Sequence, residues 1–209
     1  MEQIEVITLV VGDFATNCYI VVPQNSSECV VIDPGGEAET IIEKLQQLRL
    51  QPRYFFLTHG HLDHVMALPK LQQHYRVPTL VHRQEKTILK SLPAQALMFG
   101  LPLVKNPHIS EWIEEGRQVQ LETINFSVLH TPGHTPGGCC YISDSKIFVG
   151  DTLFAGSVGR TDLPGGNYEL LISSIKQKLL CLNDDVLVYP GHGPTTTIGA
   201  EKQHNPFIR

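Results

Sequence analysis

Thr58-His59-Gly60-His61-Leu62-Asp63-His64 decides how this chain is to be read. It follows Arg53-Tyr54-Phe55-Phe56-Leu57, an apolar and aromatic run that predicts a buried strand ending in a loop. Three imidazoles and one carboxylate crowd this loop. Neutral imidazole nitrogen and carboxylate oxygen are the ligands taken by Zn, Fe and Mn. In extended backbone, His59 and His61 point to the same side, being two residues apart. Asp63 and His64 follow as the chain turns toward a helix, so they need not face that way. One segment is therefore placed to serve two neighbouring ions.

Outward from this loop, the order of elements predicts an α/β protein. Strands are expected over Ile4–Val11, Cys18–Val22 and Glu28–Ile32, the last closed by Asp33-Pro34-Gly35-Gly36. Apolar residues at 41, 42, 45 and 48 predict a helix over Glu37–Leu50, ended by Pro52. A helix begins near Leu68 with Pro69 in its first turn, and Val77–Val81 is a further strand. Residues 83–116 are less regular: Gln84–Leu92 is helix-like, and Pro93, Pro102 and Pro107 follow. Two readings stand for Leu97-Met98-Phe99-Gly100-Leu101, a small satellite core or a substrate-pocket wall or lid.

The second half repeats the theme of the opening stretch. Phe126–Leu129 leads to Thr131-Pro132-Gly133-His134, Lys146–Val149 to Gly150-Asp151, and Val186–Tyr189 to Pro190-Gly191-His192-Gly193. Each apolar run ends in a Gly/Pro turn carrying a His or an Asp. Ligand-bearing loops at strand ends are where a rigid sheet positions a site. His74, His82, His108, His130 and His204 lack this setting and are read as surface or structural histidines.

Composition narrows the function classes. The chain has 209 residues, 42% hydrophobic and 18% charged, with net charge −5. One domain spanning 1–209 is expected. No Lys/Arg block suggests a nucleic-acid or membrane-surface partner. No apolar run approaches the ~20 residues of a membrane helix. The start, Met1-Glu2-Gln3-Ile4-Glu5, enters a strand pattern directly and does not read as a signal peptide, so a cytoplasmic location is expected. The five cysteines form no C-x-x-C pair and are expected as free thiols.

The ordered set His59-x-His61-x-Asp63-His64, His134, Asp151 and His192 resembles the metallo-β-lactamase superfamily, as does Asp33-Pro34-Gly35. The resemblance implies a four-layer αβ/βα sandwich. Thr131-Pro132-Gly133-His134-Thr135-Pro136-Gly137, Gly150-Asp151-Thr152-Leu153-Phe154 and Tyr189-Pro190-Gly191-His192-Gly193-Pro194 look most like hydroxyacylglutathione hydrolases of the glyoxalase II type. Typical glyoxalase II enzymes carry a C-terminal helical domain, whereas this chain ends soon after His204-Asn205-Pro206-Phe207, as the short single-domain form does.

By this resemblance two divalent ions are implied, Zn foremost with Fe or Mn as alternatives. His59, His61 and His134 would hold one and Asp63, His64 and His192 the other, with Asp151 bridging. A metal-activated hydroxide would attack a thioester such as S-lactoylglutathione, with Asp63 and Asp151 catalytic. A thiolate leaves without a dedicated acid, its pKa being near ~8.5. Asp33 and Thr58 are expected to support the ligand loops, and Arg160 to clamp a substrate carboxylate or else pair with Asp162.

Gly159-Arg160-Thr161-Asp162 also resembles persulfide dioxygenases, which use one Fe(II), here on His59, His134 and Asp151. A non-catalytic metal-binding role is the remaining alternative. The composition says nothing of oligomeric state.

Overall fold

The computed structural model describes residues 4–208. The acidic start Met1–Gln3 lies outside the described residues. Strands β1 (Ile4–Val11), β2 (Thr16–Pro23) and β3 (Glu28–Ile32) open the chain, followed by α1 (Ala38–Gln47) and β4 (Gln51–Phe56). After the histidine-rich loop come α2 (Leu62–Val65), α3 (Leu68–His74) and β5 (Thr79–His82). A 3-10 turn (Arg83–Glu85), α4 (Lys86–Lys90), α5 (Leu92–Met98) and β6 (Glu111–Ile113) complete the first half.

The second half holds β7 (Gln118–Leu121), β8 (Ile124–His130), β9 (Cys139–Ser143), β10 (Lys146–Gly150), β11 (Leu153–Phe154) and β12 (Ser157–Val158). It closes with α6 (Tyr168–Ser174), a π-helical turn (Ile175–Leu179), β13 (Leu187–Pro190), β14 (Thr196–Thr197) and α7 (Ile198–His204).

Two six-stranded sheets form, in the orders β1-β2-β3-β4-β5-β6 and β14-β13-β10-β9-β8-β7. Alternation along each central strand shows why they stack face to face. On β2, Cys18, Ile20 and Val22 enter a core shared with α1 and α3, while Tyr19 and Val21 enter the core between the sheets. On β10, Phe148 points to that middle core, and Ile147 and Val149 pack beneath α6. With both faces covered, these strands read as continuous apolar runs. Three apolar cores separate four layers, helix, sheet, sheet, helix, as the sequence resemblance implies.

Several boundaries differ from expectation. The first helix ends at Gln47, before Pro52, which sits inside β4. Arg49 takes a left-handed conformation (φ 56°), and Leu50 N–H donates to Leu45 O at 2.8 Å, so a backbone C-cap stops the helix. Pro93 starts α5, lying in its first turn, where the missing N–H has no partner to lose. The expected Gln84–Leu92 helix is thus divided into the 3-10 turn, α4 and the start of α5.

Candidate metal centre

All four expected loops leave strand ends on one rim of the sandwich. The chain past β4 carries His59, His61, Asp63 and His64; the β8–β9 loop carries His134; β10 leads directly to Asp151; and β13 leads to His192. Their ligand atoms converge into three groups that could hold a metal ion: His59, His61 and His134; His59, His64 and Asp151; and Asp63, His64 and His192. Within each group the ligand atoms lie within 4.8 Å of one another.

Residues outside the cluster set which ring nitrogen faces in. Asp33, in a left-handed turn (φ 50°) after β3, accepts from Thr58 N at 2.7 Å and from Thr58 Oγ1 at 2.6 Å. The hydroxyl proton is therefore used, and Thr58 Oγ1 accepts from His59 Nδ1–H at 3.1 Å. His64 Nδ1–H donates to Asp33 Oδ2 (3.0 Å), His134 Nδ1–H to Arg160 O (2.7 Å), and His192 Nδ1–H to Phe14 O (3.1 Å). All four rings thus turn Nε2 inward, the orientation that outer hydrogen bonds impose on metal-binding histidines. His61 points Nδ1 inward instead, 2.9 Å from His134 Nε2.

The donor set fits divalent ions. His59 Nε2 and His134 Nε2 stand 3.3 Å apart, close to the ~3.3–3.4 Å edge of a tetrahedron with ~2.0–2.1 Å Zn–N bonds. His64 Nε2 and Asp151 Oδ1, 3.4 Å apart and buried, complete no hydrogen bond among the described residues. Buried polar atoms are rarely left so, and a cation held by His64 and Asp151 would supply the missing partner. Asp151 Oδ2 meanwhile lies 3.6 Å from both His134 Nε2 and His192 Nε2, and Asp63 Oδ2 lies 3.2 Å from His192 Nε2. The Asp151 carboxylate therefore stands between the two ligand sets.

Electrostatics divides the cluster in the same way. Burial, then the neighbouring imidazoles, holds His59 well below the ordinary histidine range and pushes His61 down to about 3. Burial also lowers His134. These three are neutral, the form a metal requires. Burial opposes charge on His64 too, but the carboxylates of Asp63, Asp151 and Asp33 overcome it and raise that imidazole well above its usual value. Burial likewise disfavours ionised Asp63 and Asp151, yet His64 outweighs it and lowers both. Burial opposes charge on His192 as well, but Asp63 and Asp151 raise it, so a cation binding the second set would take the place of protons these imidazoles otherwise hold.

Two supports were not legible in the sequence. The first is Glu85, fully buried in the 3-10 turn. Its Oε2 accepts from Gly60 N and its Oε1 from Gly137 N, each at 2.7 Å. One carboxylate thereby ties the His59/His61 loop of the first sheet to the His134 loop of the second. A Cβ on Gly137 would lie 2.7 Å from Glu85 N, so only glycine permits this approach. The second is β2, whose Asn17 Nδ2 donates to Pro190 O (3.0 Å) and Gly193 O (2.9 Å), pinning the His192 turn from both sides. Within that turn, a Cβ on Gly191 would fall 2.2 Å from Asp151 Oδ1.

The remaining expected positions lie outside the cluster. Arg160 forks onto exposed Asp162 (2.7 and 2.6 Å), so its backbone carbonyl, rather than its guanidinium, touches the cluster. His82 and His130 stack on each other with centroids 3.9 Å apart. All five cysteines are free thiols, Cys181 alone exposed. Beside the cluster a cavity of about 530 Å³ is lined by Phe14, Ile88, Phe99, Phe154 and Leu163 as well as by His61, Asp63 and His192. Leu101, Val104 and Ile109 instead pack against the first sheet's outer core.

A helix–sheet–sheet–helix sandwich with histidines and aspartates on one rim defines a metallo-hydrolase class of fold. The metallo-β-lactamase superfamily model matches residues 11–192, and the chain belongs to that superfamily. It is 46% identical over 199 residues to hydroxyacylglutathione hydrolase GloC of Haemophilus influenzae, covering 93% of each chain. Among solved structures it is similar to BLEG-1, a B3 metallo-β-lactamase (TM-score 0.91, 36% identity, 99% of each chain). It also matches a di-iron-bound form of TTHA1623 (TM-score 0.87, 37% identity, 96% of this chain and 99% of that one). ETHE1 from Myxococcus xanthus matches at TM-score 0.78 and 28% identity, over 97% of this chain and 83% of that one. Among the described residues no helix is long and apolar enough to cross a membrane.

Proposed function

We propose that this chain hydrolyses thioesters of the 2-hydroxyacylglutathione type, S-lactoylglutathione among them. The carrying observation is the 46% identity to GloC over 93% of both chains. The geometry supports a two-ion centre, with His59, His61 and His134 as one ligand set, Asp63, His64 and His192 as the other, and Asp151 shared. Two divalent ions there supply a water of near-neutral pKa and an electrophile for the carbonyl oxygen. Zn suits the imidazole-rich set, and Fe or Mn the same donors.

The chain's own groups contribute orientation and charge. Asp63, held by Thr16 Oγ1 (3.5 Å) and facing His192, stands at the cavity wall, where it would orient an attacking water while remaining a ligand. The leaving thiolate needs no acid of its own. Arg160 stands at the cavity rim, its ion pair with Asp162 open to exchange for a substrate carboxylate. The substrate is a small molecule and the location cytoplasmic.

Metal quantitation on freshly purified protein, run beside lactoylglutathione hydrolysis and a β-lactam control, tests this reading. Two ions per chain with thioester turnover supports it. Oxygen consumption with glutathione persulfide and no thioester turnover supports instead a single-iron dioxygenase on His59, His134 and Asp151. The Gly159–Asp162 segment and the ETHE1 likeness are compatible with that second reading. Metal-loaded protein inert toward every substrate class would point to a non-catalytic metal-binding role.

A further inference from the structure

The cavity beside the cluster differs sharply in chemistry from its metal-binding end. One wall is built by α4, α5 and the β1–β2 turn, which contribute Ile88, Met98, Phe99 and Phe14. Phe14 and Phe99 meet edge to face at 5.1 Å, closing that wall. Phe154, Val158, Leu163 and Pro164 complete the apolar lining.

The polar lining groups near α5 are already engaged. Gln95 Oε1 accepts from Leu62 N, its Nε2 donates to Ile88 O and Ser91 Oγ, and Ser91 Oγ donates to Ile88 O. Among the described lining residues Arg160 is the only lysine or arginine. It stands at the exposed rim, paired with Asp162. Met98 is 69% and Phe99 43% exposed, so much of this wall's apolar surface is left uncovered by the rest of the described protein. Such surface beside a reactive centre is what a ligand's apolar part covers.

We propose that this hollow is an acyl subsite, and that the enzyme prefers 2-hydroxyacyl thioesters with larger apolar acyl chains over the lactoyl group. The inference rests on the thioester reading above and names its substrate class. A glutathione-type carrier bears carboxylates and an ammonium, which cannot be buried here without partners. The carrier therefore stays at the mouth, where Arg160 stands. The acyl carbonyl lies at the cluster, and the acyl chain runs along Met98, Phe99, Phe154 and Leu163.

The test is a series of S-(2-hydroxyacyl)glutathiones lengthened from lactoyl to 2-hydroxyhexanoyl, measured on the metal-loaded enzyme. kcat/KM should rise about fourfold for each methylene that becomes fully buried. Met98→Gln and Phe99→Ser should each flatten the rise, and Leu170→Gln, on exposed α6 away from the cavity, should leave it unchanged. Calorimetric binding of the free 2-hydroxy acids should show the same dependence without turnover.

A flat or falling series with clear lactoyl turnover would overturn the subsite and leave thioester hydrolysis standing. A rising acid affinity with no thioester turned over would support the subsite and overturn the hydrolase reading. Neither turnover nor chain-length dependence would overturn both.

Discussion

Replacing Glu85 with alanine tests whether a single carboxylate holds the two halves of the metal centre in register. Glu85 is fully buried, and both its oxygens accept backbone N–H groups, Gly60 and Gly137, at 2.7 Å. Truncation leaves both amides unpaired, at about 1–3 kcal/mol each, and opens a cavity where the side chain stood. The sum is about 3–6 kcal/mol, a large share of the ~5–15 kcal/mol that holds a typical domain folded.

In a chain of this size about 1 kcal/mol moves Tm by roughly 2–4 °C, so metal-free Glu85→Ala should melt about 6–24 °C lower. Because the loops of His59/His61 and His134 come from different sheets, loosening them should also weaken the first ion's affinity by roughly 10–100-fold. Glu85→Gln keeps one acceptor and should fall between the two. Differential scanning calorimetry and competitive chelator titration measure these effects. A Tm within ~2 °C of the parent, with unchanged chelator competition, would refute the clamp.

Asp33→Asn should weaken the second ion more than the first, by roughly 10–100-fold, because Asp33 Oδ2 orients His64 directly; site-resolved metal titration checks it. Asp151→Ala should lose binding at both positions, whereas His192→Ala should mainly empty one; retention of both ions in His192→Ala, by elemental analysis, would show the ligand grouping to be wrong. Burial, then the stacked His130, pushes His82 down to about 4 from 6.5. An unfolded chain therefore binds more protons than the folded one between these values, so this contribution to stability is full above pH ~6.5 and falls as pH drops toward ~4. Melting of metal-free protein across that range should show a shallower loss in His82→Phe.

The candidate ligand residues are legible in the sequence because covalent neighbours carry most of the signal. His59, His61, Asp63 and His64 share one loop, and each later ligand follows an apolar run and a Gly/Pro turn. The alternation of Cys18, Ile20 and Val22 with Tyr19 and Val21 makes β2 readable as a strand covered on both faces. The Asp33–Thr58 pairing was also within reach, since both sit beside strand ends.

Glu85 was not. In Arg83-Gln84-Glu85-Lys86 it looks like one more solvated charge, and only the packing of the two sheets puts it beneath Gly60 and Gly137. The same holds for Phe14, which offers its carbonyl to His192 across 178 residues. Arg160 carries a charge that suggests a clamp, yet folding turns its carbonyl to His134 and its guanidinium to Asp162. His82 and His130 likewise differ from ligand histidines only in where the sheets carry them.

Residue type and local spacing determined which atoms can bind a cation and which strands are buried, since those depend on near neighbours along the chain. Tertiary structure alone decided which nitrogen each imidazole turns inward, what braces each loop, and how apolar the cavity is, because those depend on contacts between residues far apart in sequence.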